Sequence, residues 1–338
     1  MMYGSGPALD RRAMLGAGAA LAAASLLGAT RSALAKDPKD YQFALALPFE
    51  GLQSYEHIIN GYKDAIAKYG GKLTIASCNY DVKKQSDQIA TFVAAKVDAL
   101  FILPADPAGV SKAVQAAVTS GTPVFLCDSY VPGTTVTSMS VENSFGMGLL
   151  TGEYLVKRLN GKGKIATITL PENETWAMRA MALDTVLARY PDIKIVATWA
   201  FDPTMKVTSR DAADQFLTAH SDLDAIWTAW DDAAINCALA IKAAGRDKVF
   251  ATGMDGGKQA FQYIKAGSPF VFTAAQAFYQ ESFYNVYFAH QFLAGNPAPR
   301  IITNTFWGVS QDNLKGDLES YDNYDQFGVA DKLGWRPV

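Results

Sequence analysis

The sequence has few of the residues that would build a disulfide framework, a metal centre or a nucleic-acid interface. Only 3 cysteines and 3 histidines occur among 338 residues. Three cysteines cannot form a disulfide framework in so long a chain. His57, His220 and His290 fall on separate predicted helices without an HExxH pattern, so no metal site is predicted. The 30 basic and 33 acidic side chains leave a net charge of −3, which gives no electrostatic reason to bind nucleic acid.

Motifs of the common hydrolytic and nucleotide-binding enzymes are also missing. There is no GxSxG nucleophile elbow. Residues 253–259 contain Gly-Gly-Lys but lack the four-residue spacer and the Ser or Thr of a phosphate loop. Pairs of Asp and Glu do not by themselves specify hydrolysis. No enzyme and no cofactor are therefore predicted. A composition of 49% hydrophobic and 19% charged residues is that of a globular protein, and the length favours two domains.

Long apolar runs are confined to the N-terminus. Arg11 and Arg12 precede an apolar stretch over residues 15–28, which ends in Ala33-Leu34-Ala35. This order predicts an export signal over residues 1–35, cleaved after Ala35, and the paired arginines resemble a twin-arginine signal. A membrane anchor or a buried helix is the alternative. After residue 35 no stretch approaches 18 apolar residues, so a soluble mature protein in the periplasm is expected.

The rest of the chain alternates short apolar runs with longer amphipathic segments. Strands are predicted at residues 41–47, 73–77, 99–103, 124–127, 165–170, 193–200, 225–228 and 249–252. Helices are predicted at residues 55–69, 84–97, 145–159, 177–189, 210–220 and 233–244. Parallel strands joined by covering helices explain this pattern. The predicted fold is α/β, with two consecutive doubly wound, Rossmann-like lobes that each contain a parallel sheet.

Polar and aromatic residues are concentrated directly after the predicted strands, where open parallel sheets bind ligands. They are Phe49, Glu50, Asp106, Asp128, Ser129, Asn143, Trp176, Arg179, Asp202, Trp230, Asp231, Asp232, Asp255 and Gln276. Carboxylates and amides can pair with hydroxyl groups, the planar guanidinium of Arg179 can bridge two ligand oxygens, and aromatic rings can stack on a sugar face. A site for a small polyhydroxylated ligand is therefore predicted.

Each of these residues also has a structural alternative. Asp128, Asp231 and Asp255 could be helix N-caps. The aromatic residues could belong to the core, and Arg179 could form a surface salt bridge. Cys78, Cys127 and Cys237 are expected to pack as small apolar residues, with a bridge between Cys78 and Cys127 left open.

Several spaced motifs carry a family resemblance. They are residues 102–107 (Ile-Leu-Pro-Ala-Asp-Pro), 126–129 (Leu-Cys-Asp-Ser), 141–143 (Val-Glu-Asn), Arg179, 252–256 (Thr-Gly-Met-Asp-Gly) and Gln276. Together they resemble the sugar-binding periplasmic proteins of ABC transporters, in the ribose-binding (type I) group, over about residues 41–305. The resemblance implies that the loop holding Phe49, Gln53 and Tyr55 contributes an aromatic side chain to the ligand. The chain departs from the family pattern at Ser129, at Ala182-Leu183 and at Trp230, which suggests a set of hydroxyls different from that of ribose.

The resemblance also implies the domain organisation. An N-terminal lobe would comprise residues 41–141 and 277–306, and a C-terminal lobe residues 142–276, with crossings near Val141, Gln276 and Phe306. Residues 307–338 would form a tail that packs on the lobes. The implied function is the capture of a monosaccharide or polyol by a monomer, between lobes that close by a hinge motion, for an ABC permease in the inner membrane.

Three other functions share parts of this pattern. Presentation of the sugar to a chemoreceptor is one alternative, and the sequence does not separate that role from import. A sugar-responsive regulator would need an N-terminal helix-turn-helix where this chain has its predicted export signal. An exported enzyme would turn its ligand over.

Overall fold

The computed structural model describes residues 36–51, 53–171, 173–201 and 206–338. The predicted export signal at residues 1–35 and the candidate Asp202 lie outside the described residues. The candidate Gln53 is placed at the start of a helix, but its side chain also lies outside them.

Strands and helices alternate along the described chain as the sequence pattern predicts. The strands are β1 (Gln42–Leu47), β2 (Lys72–Ser77), β3 (Ala99–Ile102), β4 (Val124–Cys127), β5 (Ser138–Glu142), β6 (Gly163–Thr169), β7 (Ile193–Ala200), β8 (Ala225–Thr228), β9 (Phe250–Asp255), β10 (Phe270–Gln276), β11 (Ile301–Asn304) and β12 (Phe306–Ser310). The α-helices are α1 (Gln53–Tyr69), α2 (Val82–Ala94), α3 (Ser111–Thr119), α4 (Ser144–Arg158), α5 (Glu174–Leu187), α6 (Ser209–Ala219), α7 (Asp231–Ala243), α8 (Lys258–Lys265), α9 (Phe278–Leu293) and α10 (Val329–Lys332).

The strands form two sheets of six. The first has the order β11-β5-β4-β3-β1-β2 and the second the order β12-β10-β9-β8-β6-β7. Every pairing is parallel except that of β12, which runs antiparallel to β10 with Phe306 opposite Gln276. The two parallel-dominated sheets confirm the predicted α/β class.

Alternation along β1 shows why the first sheet is covered on both faces. Phe43, Leu45 and Leu47 point into one apolar cluster, whereas Ala44 and Ala46 point into another on the opposite face. Successive side chains of a strand point to opposite faces, so a strand that is apolar at every position needs helices on both sides. The first cluster includes residues of α1 and α9, and the second residues of α2 and α3.

The second sheet has a single large core that also takes in the C-terminal residues. Tyr321, Tyr324 and Trp335 are buried in it against Phe261 of α8. Residues 306–310, where the tail was expected to begin, form β12 of this sheet.

Two further sequence-based expectations concern the cysteines and the membrane. Cys78, Cys127 and Cys237 are buried and unpaired, so the bridge left open between Cys78 and Cys127 is not formed. Of the helices that the structure describes, none combines the length and the apolarity needed to cross a bilayer.

Candidate functional site

The carboxyl ends of strands from both sheets bring the predicted polar residues together. Asp128 follows β4 of the first sheet, while Asp255 and Gln276 are the last residues of β9 and β10 in the second. Asp231 begins α7, three residues after β8 ends. This is the edge at which parallel sheets bind ligands.

Arg179 is the centre of the network. Its side chain is buried, with 1% exposure, and its Nη1 donates to Oδ1 of Asp255 at 2.9 Å and to the carbonyl of Ala229 at 2.6 Å. Its Nη2 lies 3.6 Å from Oε1 of Glu142, at the end of β5. Nε2 of Gln276 donates to the same Oδ1 of Asp255 at 3.1 Å. The alternative of a surface salt bridge at Arg179 is therefore wrong, because the guanidinium is buried. Its two carboxylate partners, Glu142 and Asp255, lie at strand ends.

Asp231 holds the turn after β9 in place. Its Oδ2 accepts from the backbone N–H of Gly256 at 2.7 Å and from the hydroxyl of Thr273 at 2.9 Å. Gly256 has a φ of +84°, and a Cβ there would lie 2.5 Å from that of Ala275, so only glycine fits this turn. This turn directly follows Asp255 and holds its backbone at a φ of 120°, which is rare for a residue with a side chain.

The first sheet contributes a second group of carboxylates. Glu281, on α9, is fully buried and accepts the backbone N–H of Asp128. Glu142 accepts the hydroxyl of Ser144. Asp128 itself has a left-handed backbone, with a φ of 60°, which turns its side chain out of the strand direction. Asp128, Glu142 and Glu281 thus face the Arg179 network from the other sheet.

Burial and neighbouring charges raise the pKa of four acids at the strand ends, namely Asp128, Asp231, Asp255 and Glu281. Burial, followed by the charges of Glu142, Glu281 and Asp255, raises the pKa of Asp128 well above its usual value. Burial and the charge of Glu142 do the same to Glu281, and burial with the charge of Asp255 does so to Asp231. The pKa of Asp255 rises to about 6, because burial outweighs the opposing effect of Arg179.

Two tryptophans form an aromatic wall beside the network. Trp176, on α5, and Trp230, before α7, stack with their ring centroids 4.3 Å apart and their planes at 4°. Phe201 meets both rings edge-on. Trp230 is buried in the core of the second sheet, and Trp176 packs partly exposed against it. The core role considered for Trp230 is thus observed, and its contact with a ligand stays a prediction.

A second aromatic group lies on the first sheet. Phe49, which follows β1, stacks on Tyr80 with centroids 6.2 Å apart, and both rings are exposed. The hydroxyls of Tyr80 and Tyr55 lie 3.4 Å apart. Two aromatic residues of the predicted loop region, Phe49 and Tyr55, therefore cluster with Tyr80, which follows β2.

Other predicted residues lie outside these groups. Asp106 is exposed and accepts the backbone N–H of Gly109 within its own loop. Asn143 is exposed and caps α4 through the N–H of Gly146. The hydroxyl of Ser129 lies 3.4 Å from the carbonyl of Tyr130. None of Asp128, Asp231 and Asp255 is a helix N-cap, whereas Asn143 is the N-cap of α4.

An open cleft of about 420 Å³ adjoins the network. Gly51, Ser54 and Glu56, at the start of α1, line one side of it. The residues opposite come from the second sheet and include Asp231, Asp232, Asp255, Gly256 and Lys258. A small ligand in this cleft would therefore contact structure from both sheets.

Sequence reasoning missed three residues of the site. Glu142 stood within a quoted motif without a role, and Glu281 and Tyr80 were not candidates. An acid flanked by aromatic residues, as in Phe278-Tyr279-Gln280-Glu281-Ser282-Phe283, could have identified Glu281, since unpaired carboxylates are rarely buried.

Comparison with known proteins agrees with this geometry. A family model described as periplasmic binding protein domain matches residues 43–297. The D-apiose import binding protein of Actinobacillus succinogenes is 27% identical over 219 residues, which cover 64% of this chain and 70% of that protein. The ribose import binding protein RbsB of Bacillus subtilis is 23% identical over 228 residues, 67% of this chain and 73% of its own.

A solved structure shares the fold over most of this chain. The ABC transporter solute binding protein of Bacillus halodurans with bound myo-inositol has a TM-score of 0.75 and 21% identity, and the match covers 85% of this chain and 98% of that one. The likeness confirms the predicted type I fold, and the family model confirms a binding protein rather than an enzyme. The chain belongs to the periplasmic binding protein domain family.

Proposed function

We propose that this chain is the substrate-binding component of an ABC importer, which captures a sugar or sugar alcohol between two closing lobes. The relatives named for D-apiose and ribose import, and the structural neighbour with bound myo-inositol, support this class of ligand. The site residues would be Phe49, Gln53, Tyr55, Asp128, Trp176, Arg179, Trp230, Asp231, Asp255 and Gln276, joined by Glu142 and Glu281.

One observation carries the proposal. Buried polar atoms at the strand ends of both sheets lack a hydrogen-bond partner among the described residues. They are Oδ1 of Asp128, Nε of Arg179, Oδ1 of Asp231, Oε1 of Gln276 and Oε2 of Glu281. A buried polar atom without a partner costs about 1–3 kcal/mol, so such atoms are usually satisfied. The hydroxyls of a polyol would satisfy donors and acceptors of this kind, and the aromatic walls would cover its apolar faces.

The lobes would be residues 41–141 with 277–306 and residues 142–276, crossed near Val141, Gln276 and Phe306. Residues 307–338 would form a tail that packs on the lobes. A ligand that contacts acids from both sheets favours the closed arrangement, because only that arrangement supplies both sets of contacts. The permease would then recognise the closed monomer. Residues 1–35 would be the twin-arginine export signal, cleaved after Ala35.

Thermal unfolding of residues 36–338 with a panel of ligands tests the proposal. The probes are D-ribose, D-apiose, xylitol, D-sorbitol and myo-inositol, with amino acids as the competing class. A ligand at about 100 times its dissociation constant should add about 2.7 kcal/mol to the free energy of unfolding, a shift of several degrees. A response to amino acids alone would contradict the proposal.

Variants locate the binding. Asp128→Ala and Asp255→Ala should each lose about 2–5 kcal/mol of affinity for the stabilising ligand, because partner groups stay desolvated and unpaired. Asp192→Ala, at an exposed position away from the site, is the matched control. Equal affinities in all three variants would show that the ligand binds elsewhere.

A further inference from the structure

The proposed site holds far more negative than positive charge. Asp128, Glu142, Asp231, Asp255 and Glu281 gather at the strand ends; Glu142, Asp231 and Glu281 are buried, and Asp128 and Asp255 are half-buried. In the described part of the chain, Arg179 is the sole cation in ion-pair contact with any of them, through Glu142 and Asp255. Asp128, Asp231 and Glu281 have no cationic partner there.

Residues near the site do not neutralise its excess negative charge. Lys258 lines the cleft, but its Nζ pairs with Asp322 at 2.9 Å. Glu56 and Asp232 line the same cleft and add further acids. The internal residues outside the described ranges are Leu52, Glu172, Asp202, Pro203, Thr204 and Met205, which include acids but no base.

Two carboxylate oxygens without a hydrogen-bond partner indicate which kind of ligand group the site would bind. Oδ1 of Asp128 and Oε2 of Glu281 are buried and have no hydrogen-bond partner among the described residues. Glu281 accepts the backbone N–H of Asp128 through Oε1 and also interacts with the thiol of Cys127, so the two acids are adjacent. Acceptors without donors call for a ligand that donates, and buried carboxylates favour a donor that is charged.

The arrangement does not suit a metal ion. Within the described ranges, no three His, Cys, Asp or Glu side chains converge closely enough to hold one. An organic ammonium group needs only one or two carboxylates and tolerates an aromatic wall, on whose faces cations are attracted. Trp176 and Trp230 supply such a wall in the same site.

We propose that the ligand is an aminated polyol, a sugar or sugar alcohol carrying a protonated amine, with that amine seated against the carboxylate of Asp128. The inference rests on the proposed function and narrows its ligand class. The hydroxyls would pair with Arg179, Asp255 and Gln276, as a neutral polyol would. The amine would supply the positive charge that the acids of both sheets lack.

Protonation of the acids is the competing way to relieve the repulsion. Burial and neighbouring charges raise the pKa of Asp128 and Glu281, and the pKa of Asp255 rises to about 6. A neutral polyol can bind these groups in their protonated form. An ammonium ligand instead requires the carboxylate, so its binding releases protons and strengthens as the pH rises, over the range in which the amine keeps its proton.

Matched ligand pairs separate the two cases by isothermal titration calorimetry. The pairs are D-glucosamine with D-glucose, 1-amino-1-deoxysorbitol with D-sorbitol, and a monoamino derivative of myo-inositol with myo-inositol. In the pair that binds best at about pH 7.5, the aminated member should bind at least about tenfold tighter. Its advantage should shrink towards about pH 5.5, and titrations in buffers of different ionisation enthalpy should show proton release.

Two variants check the position of the amine. Asp128→Asn keeps the shape of the side chain and should remove most of the preference for the aminated member, while its neutral partner loses less affinity. Asp192→Asn makes the same chemical change at an exposed site and should leave the preference intact.

The outcomes distinguish this inference from the function on which it rests. Tighter binding of the neutral members, or a preference unchanged in Asp128→Asn, would overturn the inference and leave the capture of polyols standing. Stabilisation by calcium ions alone would overturn the inference as well. The absence of any response to neutral and aminated polyols would contradict both.

Discussion

Arg179 shows how one residue can be both structural and functional. It is the sole cation contacting the buried acids of the described site, and it also bonds the carbonyl of Ala229. Removing one member of a buried ion pair leaves the other uncompensated, which is more costly than the pair itself is favourable.

Replacing Arg179 should therefore destabilise the fold as well as the site. Arg179→Met is expected to lower the free energy of unfolding by about 3–5 kcal/mol near neutral pH. The pKa of Asp255 is already raised to about 6 and would rise further without Arg179, so protonation should make the deficit smaller near pH 5. Urea unfolding at the two pH values measures this.

Arg189→Met provides the comparison for that measurement. Arg189 lies just beyond the same helix, and its ion pair with Glu153 is exposed on both sides. Its loss should cost less than about 1 kcal/mol. A similar small loss in both variants would show that Arg179 is not the counter-charge of a buried acid cluster.

Single side chains also mark where sequence reasoning stops. Asp128, Asp255 and Gln276 could be placed from the pattern because each follows an apolar strand, and the ends of parallel strands share an edge. Whether Asp106 and Asn143 join them depends on where their loops turn. Both instead bond the backbone three residues on, a local choice that a strand-end rule does not contain.

At the scale of the element, the C-terminal segment links both halves of the fold. Oδ1 of Asp325 lies 2.8 Å from Nδ1 of His57 on α1, and its Oδ2 accepts the N–H of Tyr279 on α9. The adjacent Tyr324 places its hydroxyl 2.7 Å from the carbonyl of Gln276 and 3.1 Å from that of Asp255. The segment thus contacts helices of the first sheet and the two site strands of the second.

The pair of His57 and Asp325 should make stability depend on pH. Burial lowers the pKa of His57, but the hydrogen bond and charge of Asp325, with the charges of Glu56 and Asp322, outweigh it and raise that pKa above 6.5. A raised pKa means stabilisation that is complete below 6.5 and is lost as the pH rises through the folded-state value. His57→Gln should therefore destabilise the protein more near pH 6 than near pH 8.5.

His220→Gln is the control for this titration, since His220 makes no ion pair in the part of the chain that the structure describes. Melting temperatures of both variants and the parent, across that pH range, give the answer. A His57→Gln deficit that does not change with pH would mean that His57 contributes through packing alone.

Elements differ in how well the sequence predicts them. The strands β4, β7 and β8 begin and end at the residues that the sequence predicts. The sequence places His290 on a helix but gives no bounds for α9, because polar and apolar residues do not separate onto different faces of it. Its buried face includes the polar residues Glu281, Asn285 and His290, whereas its half-buried face carries Tyr284, Tyr287 and Phe288. Its burial depends on the C-terminal segment and the first sheet together.

At the scale of the whole molecule, the difference in ligand affinity between the open and the closed state determines how far the lobes close. Acids of the first sheet and the Arg179 network of the second face one another, and a ligand between them would contact both. To move a population from mostly open to mostly closed, the ligand must bind the closed state about 10⁴-fold more tightly than the open one. Contacts with one lobe alone cannot supply that difference, because they are equal in both states.

Closure should therefore be visible in solution and depend on the first-sheet acids. Small-angle scattering of residues 36–338 should show a smaller radius of gyration with saturating ligand, approaching the value of about 19 Å expected for a compact chain of this length. In Glu281→Gln, which alters only the side of the first sheet, ligand bound through the second sheet should close the molecule less completely at equal occupancy. If the variant closed as fully as the parent at matched saturation, closure would not draw on the acids of the first sheet, and the hinge would have to respond to contacts within a single lobe.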